Sequence, residues 1–172
     1  HLNRTRARHI VTIEDPIEFE HASHRCLVHQ REVGRDVESF AAGLRGALRE
    51  SPDVILVGEM RDRETFSAAM HAAETGHLVF GTIHAGTAPS TIGRLLDLFP
   101  RDMHSALRQS LAFNLKAIVA QKLLPTTREL AAKGTTRVPT NEIMRSNPTV
   151  RKLILNEEDT KLGDAIRIGK EE

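Results

Sequence analysis

Apolar residues along this chain recur with two different periods, and the switches between them mark its elements. His9 to Ile13 (HIVTI) is a short β-branched run that predicts a buried strand. It ends at Glu14-Asp15-Pro16, where proline cannot continue a hydrogen-bonded ladder. Cys26 to Val33 (CLVHQREV) alternates imperfectly, as an edge strand does. Further on, Val37, Phe40, Ala41, Leu44, Ala47 and Leu48 fall at the i, i+3, i+4, i+7 positions of an amphipathic helix over Val37 to Glu50. Ser51-Pro52-Asp53 breaks it. Val54 to Val57 (VILV) is four strong β formers in a row, too short for a helix and suited to a central parallel strand.

The alternation continues beyond that strand. Asp62 is placed to cap a helix running to Thr75, with Phe66, Ala69, Met70 and Ala73 on one face and Gly76 just past its end. Leu78 to Thr82 (LVFGT) reads as the next strand, followed by helices over Ser90 to Leu98 and Asp102 to Asn114. Lys116 to Leu124 and Val138 to Met144 read as strands, and Thr126 to Thr136 between them as a loop or hairpin. Two short helices close the chain, Pro148 to Leu155 and Lys161 to Ile168. Strands and helices taking turns at these spacings predict an open, mostly parallel α/β sheet flanked by helices. The expected division is a core over 1–146 and a small helical C-terminal extension over 147–172.

Composition narrows the classes of function. The 172 residues carry a net charge of +1 and six Phe with no Trp or Tyr, so neither a basic field nor aromatic platforms favour direct nucleic-acid binding. The basic cluster Arg4, Arg6 and Arg8 reads as a solvated edge. A single cysteine, Cys26, excludes an internal disulfide framework. No apolar run approaches the ~20 residues of a membrane-spanning helix. The chain starts without Met and runs almost directly into a strand, so it is expected to be part of a longer protein.

Candidate chemistry follows from the sheet, because ligands of such folds lie at the carboxyl ends of the parallel strands. There HIVTI delivers Glu14 and Asp15, with Glu18 close behind; VILV delivers Gly58 and Glu59; LVFGT delivers Thr82 and then His84. Oxygen ligands gathered on one edge suit Mg²⁺ beside phosphates, and a carboxylate placed further out suits activation of water. Glu59 is not needed as a helix cap, since Asp62 fills that role. His77 and His84 bracket LVFGT on the order of 20 Å apart, so they cannot share one metal.

Three blocks resemble the type II/IV secretion ATPase superfamily, most closely the type IV pilus retraction ATPases. VTIEDPIEFEH, ending at His21, is similar to the family's acidic box. LRGALRESPDVILVGEMRDRET, Leu44 through Thr65, is similar to its Walker B region. AAETGHLVFGTIHAGTA, Ala72 through Ala88, is similar to its histidine box. The resemblance implies a RecA-like core that hydrolyses ATP with Mg²⁺ in a homo-hexamer, working against an inner-membrane platform protein of a pilus. Such a motor would be cytoplasmic and peripheral to the membrane, without direct nucleic-acid contact. It also implies Glu18 as the general base, Glu59 as the acid holding Mg²⁺ through water, and Glu14, Asp15 and Thr82 around the nucleotide. His84 would sense the γ-phosphate and His77 would couple to a neighbouring part. Arg45 and Arg49 match family arginines but receive no role.

The departures from the family set the alternatives. No GxxxxGK[ST] phosphate loop occurs: Gly76, Gly81 and Gly86 are not followed by Lys-Ser or Lys-Thr. The family's N-terminal domain has no counterpart either. The chain alone is therefore expected to be inactive, and a non-catalytic or degenerate ring subunit is a competing reading. A single cysteine excludes the four-cysteine zinc module of assembly and secretion branches, whereas Thr149 to Asn156 (TVRKLILN) keeps only part of the retraction motif. His21, His24, Cys26 and His29 crowd into nine residues and suggest a small zinc-binding module instead. A helicase-like ATPase acting on nucleic acid would share the core but not its neutral charge.

Overall fold

The computed structural model describes residues 1–128 and 134–169, in two compact units, His1–Ile83 and His84–Glu172. In the first unit four strands, β1 (His9–Glu14), β2 (Leu27–Glu32), β3 (Val54–Val57) and β4 (Leu78–Gly81), form one sheet in the order β2-β1-β3-β4. Every neighbouring pair is parallel, as the runs HIVTI and VILV predict. A short helical turn, α1 (Leu2–Thr5), precedes β1 where the sequence reading had no element.

Helices α2 (Phe40–Ala47) and α3 (Arg63–Glu74) supply the other half of this unit's core. Ile13, Leu44, Ile55, Val57, Ala69 and Ala72 form one buried cluster. The approach of α2 to β1 is close: a Cβ on Gly43 would stand 3.1 Å from Ile13 Cγ2. The helix starts three residues later than its apolar period suggests. Val37 instead bridges to Val33, and the Ser39 side chain accepts the Ala42 N–H. Its last turn tightens into a 3-10 segment, Leu48–Glu50, before Ser51 turns left-handed at φ 52°.

On α3 both caps are those read from the sequence. The Asp62 side chain accepts the Thr65 N–H at 2.8 Å, and Gly76 adopts φ +99°, a conformation open to a residue without Cβ. The buried face is Thr65, Phe66, Ala69 and Ala72 rather than one including Met70 and Ala73.

The second unit holds α4 (Ala88–Leu96), α5 (His104–Asn114) and an antiparallel pair, β5 (Ala117–Pro125) with β6 (Arg137–Arg145). Two further helices follow, α6 (Pro148–Leu155) and α7 (Leu162–Ile168). The strands expected over 116–124 and 138–144 thus close on each other and not on the parallel sheet. Part of the expected 126–136 connection, residues 129–133, lies outside the described residues. Ile92, Met144, Val150, Ile154 and Leu162 are buried in this unit. Asn147, where the sequence places the start of the helical extension, caps α6. Among the described residues no helix is long and apolar enough to cross a membrane.

Candidate nucleotide and metal site

All four strands of the first unit point the same way, so their carboxyl ends share one rim. Glu14 ends β1 there, and its carboxylate is fixed from two sides. Thr12 Oγ1 donates to it at 2.5 Å and Gln30 Nε2 at 2.9 Å. Thr12 and Glu14 sit two residues apart on one face of β1, and Gln30 is Thr12's register partner on β2. Asp15 follows, joined to Pro16 by a cis peptide.

Glu18 lies exposed on the loop beyond, and β2 braces that loop on both sides of it. Glu32 accepts the Ile17 N–H at 3.1 Å; Gln30 donates to the Phe19 carbonyl at 3.0 Å and accepts the His21 N–H at 2.6 Å. Imperfect alternation in VHQRE was the sequence trace of this duty: an edge strand kept long polar side chains that reach over its neighbour's loop.

Glu59 follows β3, and Thr82 at the end of β4 grips the backbone on either side of it. The Thr82 hydroxyl donates to the Gly58 carbonyl, and the Thr82 carbonyl accepts the Met60 N–H at 2.9 Å. Gly58 is itself held close, since a Cβ there would stand 3.1 Å from the Ile13 carbonyl oxygen. A side chain at this position would press on β1, which accounts for the Gly ahead of the Glu. The Glu59 side chain is only 18% exposed, and Arg61 Nη2 lies 2.5 Å from its Oε2. Hydrogen bonding to Glu59, then the charges of Glu59 and Asp15, push the Arg61 guanidinium above its ordinary range. Asp15 and Glu59 follow the carboxyl ends of neighbouring strands β1 and β3.

Arg61 escaped the sequence reading. Its signal was the acid–base alternation of Glu59, Arg61, Asp62 and Arg63, legible only once the turn after β3 is known. The donor set fits Mg²⁺, which favours one or two carboxylates, water and phosphate oxygens. Glu59 and Asp15 supply such carboxylates on adjacent strand ends, and the strands from β2 to β3 span about 10 Å.

His77 lies at the opposite, amino end of β4. Its N–H and its Nδ1 meet the Ala72 carbonyl at 3.2 and 2.9 Å, and Thr75 Oγ1 is 3.2 Å from Nδ1. Here it closes the end of α3, away from the acids. His84 opens the second unit, where with Gly86, Ser90, Gly93, Arg94 and Asp97 it lines an open cavity of about 690 Å³. Arg45 pairs with Glu64 at 2.7 Å, both exposed.

The four clustered zinc candidates do not come together. Cys26 is buried, its thiol donating to the Arg6 and Leu2 carbonyls, while His29 faces His9. Among the described residues no three of His21, His24, Cys26 and His29 could hold one ion. His21, His24 and Cys26 lie on the connection ahead of β2, and His29 lies on the strand itself.

The chain is 48% identical over 169 residues to the type IV pilus retraction ATPase PilT of Pseudomonas aeruginosa, covering 98% of this chain and 47% of that protein. It is 46% identical to a twitching motility protein of Neisseria gonorrhoeae, over 99% of this chain and 44% of the relative. The fold matches a solved structure of the pilus retraction motor PilT with bound ADP. There the TM-score is 0.89 at 46% identity, covering 97% of this chain and 47% of the other. The chain therefore spans about half the length of the curated relatives it matches. Residues 1–161 match the model of the type II/IV secretion system proteins; with the parallel sheet and its acid-lined rim, this chain is a member of that family.

Proposed function

We propose that this chain is the water-activating and metal-holding portion of an ATPase whose hydrolysis drives type IV pilus retraction. The observation that carries the proposal is the largely buried Glu59 carboxylate, paired with Arg61 after β3 on the same carboxyl rim where β1 presents Glu14 and Asp15. Glu59 would hold Mg²⁺ through water, with Glu14, Asp15 and Thr82 shaping the nucleotide's surroundings. When bound, the ion neutralises charge on the transferring phosphate. Glu18, on its braced loop, would take the proton of the attacking water, and Arg61 would release the Glu59 carboxylate toward the metal. His84 would report the γ-phosphate and His77 would relay to a neighbouring element.

In this reading the protein works as a homo-hexamer on the cytoplasmic face of the inner membrane, against a pilus platform protein. The twitching and retraction functions named for the relatives support it. The N-terminal and phosphate-loop parts of such a motor have no counterpart in these residues. The chain alone is then inactive, and its domain plan is a core to residue 146 with a helical extension behind it.

The test is Glu59→Gln in a protein that joins this chain to a phosphate-binding loop. Nucleotide affinity should stay largely intact while turnover falls by about a hundredfold or more. Unchanged turnover removes Glu59 from the mechanism.

A further inference from the structure

A second cluster lies toward the other end of the same sheet. His9 begins β1, His29 sits on β2, and Glu50 ends the 3-10 turn just before β3. Ligand atoms of all three lie within 4.8 Å of one another. We propose that His9, His29 and Glu50 form a binding site for a divalent transition metal ion, Zn²⁺ in the first instance.

Parallel register creates the pair of imidazoles. His9 is opposite Leu27 and His29 opposite Val11, so the two histidines stand diagonally on one face of adjacent strands. Their rings meet edge to face with centroids 5.0 Å apart, and His9 Nε2 is 3.1 Å from His29 Nδ1. Two nitrogens bound tetrahedrally to one zinc at its usual bond length stand about 3.3 Å apart. The spacing needs little change to admit an ion.

The protonation states are set in the same direction. His9 Nδ1 is 3.2 Å from the Glu50 carbonyl oxygen, which can only accept. A neutral His9 must therefore carry its proton on Nδ1, leaving the Nε2 lone pair aimed at His29. A backbone carbonyl on the remote ring nitrogen is the usual support for a metal-bound imidazole. Without metal, His29 Nδ1–H donates to that lone pair. With metal, the His29 proton moves to its own Nε2, both imidazoles stay neutral, and Nδ1 becomes the second ligand. The third ligand is the Glu50 carboxylate. Arg31 donates to Glu50 Oε1, which orients the group and leaves Oε2 as the coordinating oxygen. Two histidines, one carboxylate and water make a familiar zinc donor set.

Such an ion would tie β1, β2 and the entry to β3 together at a point remote from the acid-lined rim. The experiment is zinc titration of the full chain, stripped with chelator, by calorimetry and by thermal denaturation followed with circular dichroism. One saturable site per chain and a raised Tm are expected. His29→Asn and Glu50→Gln should each weaken the site at least about tenfold, since loss of a mere supporting partner already costs that much. Both side chains are exposed, so the far-UV spectrum should not change. His24→Asn, outside the cluster, should leave affinity unaltered. Absence of a one-to-one site, affinity in both ligand variants unchanged from that of the parent chain, or loss of binding in His24→Asn would each overturn the proposal.

Discussion

Arg108 carries its charge into the second unit, where Asp159 meets it in a fork. The two Nη–Oδ distances are 2.8 and 2.6 Å, and Nη1 also donates to the Ile154 carbonyl at 3.0 Å. The bond to Asp159 raises the guanidinium's affinity for its proton, against the opposing effect of burial. Asp159→Ala would strand a cation whose side chain is 9% exposed. About 3 kcal/mol of stability should be lost, because a buried charge deprived of its partner is costly. Urea denaturation followed by circular dichroism measures this directly, and a loss within error of zero contradicts it. At this scale the sequence was informative where a residue's job is local. Asp62 reads as a cap, which frees Glu59 for another task. It was silent where the job depends on register: Gln30, Glu32 and the pairing of His9 with His29 follow only from which strands lie side by side.

Elements were legible where their ends carried their own chemistry. VILV between Pro52 and Gly58, and α3 between Asp62 and Gly76, declare both boundaries. The start of α2 did not, because Val37 continues the helical period while its backbone serves the turn that ends β2. That turn is tightened by Asp36, whose carboxylate accepts the Glu32 N–H at 2.9 Å and pairs with Arg35. The amide first, and Arg35 next, hold the Asp36 carboxyl below its ordinary value. An acid depressed in the folded state binds protons more weakly there than in the unfolded chain. Its stabilisation is therefore present above the ordinary carboxylate value and fades as pH falls toward the depressed one. Asp36→Asn should flatten part of the acid limb of stability as pH falls through and below the ordinary carboxylate value of about 4. Parallel urea titrations of the two proteins across that window test it, and identical slopes refute it.

Taken whole, the chain assembles acids without the loop that would cradle a nucleotide's phosphates. No GxxxxGK[ST] pattern occurs in its 172 residues. Backbone amides and a lysine supply most of the grip on a triphosphate in such sites. The chain by itself should bind ATP with a Kd of about 1 mM or weaker. Equilibrium dialysis with labelled ATP decides this, and micromolar binding would mean that these residues hold phosphate some other way. The fold class was readable because strand and helix periods alternate. The pairing of β5 with β6 was not, since a two-residue period is silent about which strand lies alongside.

His9 and Glu14 are the two ends of the six-residue strand β1, five steps or about 17 Å apart in extended backbone. That length acts as an insulator between two polar ends of a single rigid slab. Histidine substitutions at one tip can be made while a reporter watches the other, with little crosstalk to confuse the two signals.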